Sequence, residues 1–193
     1  MPLSLDEYLE RAKQAHGHLC AGQILGVRLA LAGLRELGIE DPIRDRKRLV
    51  TFVEIDRCAT DAIALVTGCR LGKRALKFYD WGKMAATFVD ISAGCAIRIV
   101  ARDSSKDRAR ELFPALDNNA AQQQAYRTLP DNELLDVQAV RVKLRPEDLP
   151  GYKGPRVTCD QCGESINFRR EITAGGRTLC RSCAGERYYE PAD

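Results

Sequence analysis

Residues 49–69 read LVTFVEIDRCATDAIALVTGC, and this stretch decides the predicted fold. Its first part is rich in β-branched residues, as a strand should be. After a polar turn that contains Cys58, residues 62–67 are predicted to form a short apolar helix, which Thr60 or Asp61 can cap. The stretch therefore predicts a strand that leads into a helix, with a cysteine at the turn between them.

The segment before this stretch predicts two helices. Residues 4–7 form a capping-box pattern, which predicts a first helix that runs to about Ala15. Apolar residues at helical spacing then predict a long, mostly buried second helix that ends near Gly38. The residues of its apolar face are Ile24, Val27, Leu31 and Leu34.

The segment after this stretch predicts most of a sheet. The predicted strands cover residues 76–79, 83–89 and 96–101, two helices lie within 102–129, and a last strand alternates through Val140, Val142 and Leu144. Strands gathered in the middle of the chain, with helices at both ends, favour an α+β fold over a doubly wound one. We therefore predict an antiparallel or mixed sheet flanked by helices.

Composition divides the chain into a core domain, a linker and a small C-terminal domain. A chain of 193 residues with 45% hydrophobic content can bury one main core. Two proline–glycine pairs later in the chain mark a linker. We predict a core domain at 1–145, a linker at 146–156 and a four-cysteine zinc-finger domain at 157–193.

Net charge and the N-terminal sequence limit the classes of partner and the cellular compartment that can be expected. A formal charge of +3 is small for this length, so binding to nucleic acid or to a membrane surface is not expected. Residues 1–7 are acidic and lack the features of an export signal, and no apolar run approaches a membrane span. We expect a cytoplasmic protein, whose eight cysteines are ligands or reactive thiols rather than disulfides.

Both histidines of the chain lie beside a cysteine in residues 16–20, HGHLC. Imidazole and thiolate are ligands that borderline metals such as zinc prefer. Cys20 is predicted to lie at or just before a helix N-terminus, where backbone N–H groups and the helix dipole favour the thiolate. His16 and His18 can converge from an irregular loop, so the segment predicts metal binding or nucleophilic chemistry.

A core site built from His18, Cys20 and Cys58 would be open, with a fourth position for water or substrate. We predict these three as catalytic residues, with Cys20 as thiolate ligand or nucleophile and His18 as ligand or base. The same residues and His16 are predicted to hold a second metal, although His16 is alternatively a partner that orients His18. The carboxylates that could assist are Asp56 and Asp61.

Three cysteines of the core also have a purely structural interpretation, as small buried hydrophobes. Singly, that interpretation suits Cys58, Cys69 and Cys95, and we adopt it for Cys95. Cys69 follows a glycine at a predicted helix end and can face either the core or the site. Lys73 and Lys83 could attract an anionic substrate, but lysines beside turns are usually solvated.

Four cysteines near the C-terminus form the most specific motif in the chain. The pairs Cys159/Cys162 and Cys180/Cys183 are separated by 17 residues. Two such pairs complete a closed tetrahedral site for zinc, which supports folding rather than catalysis. Two redox-active dithiols are the competing interpretation, but redox chemistry needs no second pair at this spacing. From Arg156 onward six arginines match six acidic residues, which favours a protein contact over nucleic acid.

These motifs resemble the FmdE family of formylmethanofuran dehydrogenase subunits. The resemblance rests on residues 16–20 and on EIDRCATDAI at 54–63, and it covers most of the chain from His16 to Cys183. The tail CDQCGE at 159–164 matches as well and is similar to zinc fingers of the DksA/TraR type. The departures from the family's usual residues are Ala21, Ala64 and Trp81.

The resemblance implies a fold, partners and a metabolic setting. The expected core is an α+β domain similar to the catalytic domain of glyceraldehyde-phosphate dehydrogenase, followed by a zinc finger, in a homodimer. A complex with molybdenum or tungsten formylmethanofuran dehydrogenase, and so a part in one-carbon metabolism, is also implied. The alternative is a non-catalytic accessory protein whose zinc finger mediates protein–protein or dimer contacts.

Overall fold

The computed structural model describes residues 3–45, 47–190 and 192. The chain divides into two compact units, Met1–Lys143 and Leu144–Asp193. The predicted linker at 146–156 lies within the second unit and begins with a short 3₁₀ helix, Pro146–Asp148.

The first unit combines six α-helices with one sheet of five strands among the described residues. The helices are α1 Leu5–His16, α2 Ala21–Glu36, α3 Cys58–Thr67, α4 Ser104–Leu112, α5 Asn118–Thr128 and α6 Asp131–Leu134. The strands are β1 Leu49–Val53, β2 Leu76–Phe78, β3 Ala85–Asp90, β4 Cys95–Ala101 and β5 Leu135–Val140. Their order in the sheet is β2-β1-β3-β4-β5, with only the β1–β2 pair parallel. The predicted α+β class with a mixed sheet and flanking helices is confirmed.

The N-terminal capping box forms as the sequence predicts and fixes the start of α1. The Ser4 side chain accepts a hydrogen bond from the Glu7 backbone N–H, and the Glu7 carboxylate accepts one from the Ser4 backbone. The helix ends at His16, one residue beyond the predicted end, because Gly17 adopts a left-handed conformation with φ 90°. This turn brings the chain to the start of α2.

Helix α2 is the buried centre of the first unit, and two of its glycines allow it to pack closely. It contacts α3, α5 and the strands β3 and β4. A Cβ atom on Gly26 would lie 2.4 Å from the carbonyl oxygen of Ala59, and one on Gly33 would lie 2.1 Å from the ring of Phe88. Both positions therefore require glycine, since any side chain would push α2 away from its neighbours.

Replacing Gly33 with alanine should destabilise the first unit although alanine is the better helix former. The added methyl group would overlap the fully buried ring of Phe88, and overpacking of this kind costs about 1–3 kcal/mol. The midpoint of urea-induced unfolding measures the effect. Gly72→Ala is the control, because nothing lies within 4 Å of a Cβ added there. A Gly33→Ala protein as stable as wild type would contradict the tight contact.

Two elements differ from their predicted bounds for identifiable reasons. Helix α3 begins at Cys58 rather than Ala62, because its first turn is buried against α2, with Ala59 beneath Gly26. The predicted cap is also wrong, since the Thr60 hydroxyl donates to the Ile55 carbonyl oxygen at 2.5 Å instead.

The last strand of the sheet lies earlier in the sequence than predicted. Apolar residues alternate at 135, 137 and 139, and the predicted alternation through Val140, Val142 and Leu144 follows one position out of phase, but β5 ends at Val140. Val140 pairs with Ala96, close to the start of β4, so the residues that follow have no strand to pair with. The predicted strand through Val142 and Leu144 is therefore wrong beyond Val140.

The second unit contains two short two-stranded antiparallel sheets. Their strands are β6 Val157–Thr158 with β7 Ser165–Ile166, and β8 Ile172–Ala174 with β9 Arg177–Leu179. Gly175 and Gly176 form the tip of the second hairpin, both with positive φ. The small hydrophobic core of the second unit consists of the buried residues Cys159, Ile166 and Leu179.

Among the described residues, no helix has both the length and the apolar character needed to cross a lipid bilayer.

Candidate functional site

Three helix ends of the first unit meet at the histidine–cysteine cluster. The C-terminus of α1 carries His16, the loop after it carries His18, and α2 and α3 begin beside Cys20 and at Cys58. The three helices contact one another pairwise. Segments that are about 40 residues apart in sequence thus contribute side chains to one place.

Cys20 is the N-cap residue of α2, as the sequence predicts. Its Sγ atom accepts a hydrogen bond from the backbone N–H of Gln23 at 3.4 Å. An N-cap that is a cysteine places its sulfur at the N-terminus of the helix, beside the backbone N–H groups that have no partner within the helix. The position therefore suits both a metal ligand and a nucleophile.

Cys58 lies against Cys20 at the first position of α3. Burial raises the pKa of the Cys58 thiol, and a hydrogen bond to Cys20 together with the charge of Cys20 raises it further. A Cβ added to Gly22 would lie 3.3 Å from Cys58 Cβ and 3.7 Å from Cys20 Sγ, so glycine leaves room for the two thiols to meet. The structure brings these two predicted residues together.

His16 is oriented by a carboxylate. Its Nδ1 atom lies 3.0 Å from Asp61 Oδ2, and its ring centroid lies 5.0 Å from that of His18. A carboxylate on one ring nitrogen fixes the imidazole and leaves the other nitrogen free for a metal or a proton. The predicted loop is wrong for His16, which ends α1, and right for His18.

The core donors thus form two pairs, Cys20 with Cys58 and His16 with His18. Among the described residues, three or more His, Cys, Asp or Glu ligand atoms all lie within 4.8 Å of one another only at the four C-terminal cysteines. A metal shared by both core pairs would require some side chains to rotate. The core metal site stays a prediction.

Sequence reasoning missed Gln23, which is 1% exposed and lies behind the two thiols. Its Nε2 atom donates to the Cys58 carbonyl oxygen at 2.8 Å. Its Oε1 atom is buried and has no hydrogen-bond partner among the described residues. A polar residue three positions after the helix-capping cysteine, in the otherwise apolar stretch 21–27, is the signal that could have found it.

Two cavities open beside these groups. One of about 510 Å³ is bordered by His16, Cys58 and Asp61. A second of about 560 Å³ is bordered by His16, Asp61 and Gln23. Both volumes lie in the range of small-molecule sites. The cluster is therefore placed where a ligand could reach it.

The remaining core residues singled out in the sequence take structural or surface positions. Cys69 is buried, its Sγ atom lies 3.4 Å from Thr51 Oγ1, and burial raises the pKa of its thiol. The predicted burial of Cys95 is wrong, because this residue is exposed at the start of β4. Lys83 lies 5.8 Å from the Trp81 ring, which accounts for it without a substrate.

The second unit gathers its four cysteines into one metal-binding cluster. The ligand atoms of Cys159, Cys162, Cys180 and Cys183 all lie within 4.8 Å of one another. The Sγ atoms of Cys162 and Cys180 are 3.9 Å apart. Four sulfurs at this separation can surround one ion and leave no position for water.

Backbone N–H groups donate hydrogen bonds to the sulfur atoms of this cluster and so stabilise negative charge on them. The N–H of Cys180 donates to Cys159 Sγ at 3.3 Å, and the N–H of Cys183 donates to Cys180 Sγ at 3.4 Å. The N–H groups of Cys162 and Cys180 lower the pKa of Cys159 to about 6. Hydrogen bonds of the Cys183 thiol with its neighbouring thiols raise the pKa of Cys183 instead. A bound cation would stabilise the thiolate of Cys183 and so lower this pKa.

Family models match both parts of the chain. Residues 15–149 match the model described as FmdE, Molybdenum formylmethanofuran dehydrogenase operon. Residues 152–189 match the prokaryotic dksA/traR C4-type zinc finger. The second match covers all four clustered cysteines, and the first covers every core residue of the site.

Two known proteins are similar along nearly the whole chain. The crystal structure of a tungsten formylmethanofuran dehydrogenase FmdE-like protein from Syntrophus aciditrophicus has a TM-score of 0.64 at 24% identity, covering 97% of this chain and 96% of that one. A curated protein of Archaeoglobus fulgidus, named "Probable S-adenosyl-L-methionine-binding protein", is 29% identical over 208 residues, which is 95% of this chain. The chain spans 54% of the length of that relative.

Proposed function

The chain belongs to the FmdE family, and from that premise we propose that its first unit is a metal-dependent protein of one-carbon metabolism. The observation that carries the proposal is the contact of Cys20 with Cys58 where α2 and α3 begin. Two thiols beside two helix N-termini, with an imidazole held by a carboxylate nearby, form a donor set suited to zinc. We assign Cys20, Cys58 and His16 as ligands of the core metal, with His18 as the alternative to His16, so that the fourth position stays open.

The donor set fits a catalytic type of zinc better than a structural one. The unpaired Gln23 oxygen and the adjoining cavities give an incoming group room beside the donors. When bound, such a metal supplies Lewis-acid polarisation of a carbonyl or an acidic bound water. Asp61 holds the His16 ring, and His18, where it does not bind the metal, is the group that would move a proton.

The names of the matching family and structure supply the metabolic setting. One names a molybdenum formylmethanofuran dehydrogenase operon and the other a tungsten formylmethanofuran dehydrogenase. We propose that this chain serves such an enzyme as a homodimer or as part of its complex. The name of the Archaeoglobus relative makes S-adenosylmethionine a further ligand to test.

We propose zinc as the metal of the four-cysteine cluster as well, so that purified protein should contain about two zinc ions per chain. Cys20→Ser should lower this to about one while the fold persists, because only the core site loses a ligand. Mass spectrometry of the metal content, with circular dichroism as the check on folding, measures both. Cys95→Ser is the matched control, since Cys95 is exposed. About one zinc per chain, unchanged in Cys20→Ser, would refute the core metal.

A second candidate function is partner binding through the zinc finger. Tyr188 is 96% exposed and packs edge-on against Tyr189, whose ring lies 5.5 Å from the Arg187 guanidinium. Exposed tyrosine and arginine side chains are typical of protein-binding hot spots. If this group holds a dimer together, Tyr188→Ser should shift sedimentation from dimer to monomer without loss of zinc. An unchanged sedimentation profile would count against this role.

A further inference from the structure

We infer that the cavity beside the core donors binds an organic anion that carries an N–H or O–H donor. This inference rests on the proposed function, in that it names the ligand class of the same site. The cavity has a volume of about 560 Å³ and lies between α1, α2, α3 and the 3₁₀ turn Leu71–Lys73. It shares His16 and Asp61 with the cavity that borders Cys58.

Most of the cavity wall is aliphatic. It is formed largely by Ala12, Ala15, Ala64, Leu65, Leu71 and Leu76. Its polar groups are few and come from His16, Gln23, Asp61 and Arg70. An apolar wall with a small number of placed polar groups is the usual composition of a small-molecule site, and it selects a ligand with an apolar body.

Gln23, on the cavity wall, is the reason that the ligand needs a donor group. Its amide is held in one orientation, because Nε2 donates to the Cys58 carbonyl oxygen. The opposite atom, Oε1, is therefore fixed as an acceptor, and it is buried without a partner among the described residues. An unpaired buried acceptor is costly, and since bulk water does not reach this one, the proposed ligand reaches it by displacing the side chains that cover it. A donor group delivered by a bound molecule would satisfy it.

Arg70, also on the cavity wall, is the reason that the ligand needs a negative charge. Its side chain is exposed at the cavity wall, and within the described part of the chain its guanidinium makes no ion pair. The Asp61 carboxylate, the other charged group of the wall, is engaged by His16 at 3.0 Å. The guanidinium is thus available for a carboxylate or phosphate group of the ligand.

Calorimetric titration of the full chain with three N–H-bearing aromatic carboxylates of increasing length tests this inference. The probes are indole-2-carboxylate, indole-3-acetate and indole-3-propionate. At least one should bind with a dissociation constant below about 10 mM, and Arg70→Ala and Gln23→Met should each weaken it about tenfold or more. Arg70→Lys should retain most of the affinity because it keeps the charge.

Modified probes separate the two contacts without relying on the variants alone. The N-methylated probe, which has no N–H donor, should bind wild type about tenfold more weakly than the parent probe. Its affinity for Gln23→Met should equal its affinity for wild type, because the donor contact is already absent. The probe whose carboxylate is replaced by a neutral carboxamide should bind wild type about tenfold more weakly than the carboxylate. Arg70→Ala should not weaken the binding of this carboxamide any further. Arg44→Ala is the control, because Arg44 borders a different cavity of about 560 Å³. If Gln23→Met fails to fold, the N-methylated probe on wild type still tests the donor contact.

Two outcomes would overturn the inference. One is the absence of binding by all three probes up to about 10 mM, and the other is binding that none of these changes weakens. Metal content measured on the same samples keeps this result apart from the proposed function. Probe binding with only about one zinc per chain would support the cavity and refute the core metal. About two zinc ions without probe binding would refute the cavity alone.

Discussion

Replacing Cys159 with serine should release the metal of the four-cysteine cluster and unfold the second unit. The cluster has four sulfurs within 4.8 Å of one another, while the buried apolar residues around it are few, namely Ile166 and Leu179 beside Cys159. Burying a single such side chain contributes only about 1.5–3 kcal/mol. Structural zinc contributes about 10–16 kcal/mol in small zinc domains, so the folding of this unit depends on the metal.

The loss is measured by metal content together with the dispersion of amide signals in nitrogen–proton correlation spectra. Signals from residues of the first unit should keep their positions, whereas those of 157–189 should collapse toward random-coil values. Gln161→Ala is the matched control, because Gln161 lies between two ligands and provides no sulfur. A Cys159→Ser protein that retained a full complement of zinc and dispersed signals would show that the cluster is not a metal site.

The fold was predictable from the sequence wherever local chemistry alone decides structure. The capping box at Ser4 and Glu7 and the left-handed glycine after His16 set the bounds of α1 without help from the rest of the chain. The end of β5 was not predictable in this way. A second alternating pattern begins at Val140 and runs to Leu144, and the position of the neighbouring strand β4 ends the pairing before it. Tertiary partners determine such limits, and a single sequence does not display them.

The candidate site shows the same division. The capping position of Cys20 follows from the local sequence, because a helix had to begin after the glycine-containing loop. The pairing of His16 with Asp61 spans 45 residues and depends on how α1 packs against α3. The buried oxygen of Gln23 depends on the packing of α2 against α3, because the amide of Gln23 is held by the Cys58 carbonyl oxygen. Residue types therefore predicted the donors, but packing determined which carboxylate and which amide accompany them.

Replacing Arg28 with methionine should destabilise the first unit by about 3–5 kcal/mol. The Arg28 side chain, on the central helix α2, donates to the backbone carbonyl oxygens of Tyr126 and Leu129, both at 2.7 Å, and to Asp131 at 2.5 Å. Methionine fills similar space but leaves two carbonyl oxygens without their donor and the Asp131 carboxylate with Arg35 alone. The free energy of unfolding in urea, compared with wild type, measures the loss.

Acid should reduce the contribution of this network. Burial by itself would raise the pKa of Asp131, but the hydrogen bonds from Arg28 and Arg35 outweigh it and lower the pKa below 3.8. A carboxyl group with a lowered folded-state pKa stabilises the protein above its unfolded pKa, and this stability is lost as pH falls through the folded pKa. The difference between wild type and Arg28→Met should therefore narrow as the pH falls below about 4.

Arg35→Met is the control that separates burial from charge. Arg35 binds the same carboxylate at 2.7 Å, but its side chain is 58% exposed, whereas that of Arg28 is 10% exposed. An exposed ion pair contributes about 0–1 kcal/mol, because water solvates both partners once the pair is broken. Both variants lose one positive charge beside Asp131, so charge alone predicts equal effects. A loss for Arg28→Met no larger than that for Arg35→Met would show that α2 does not depend on Arg28 to hold the ends of α5 and α6.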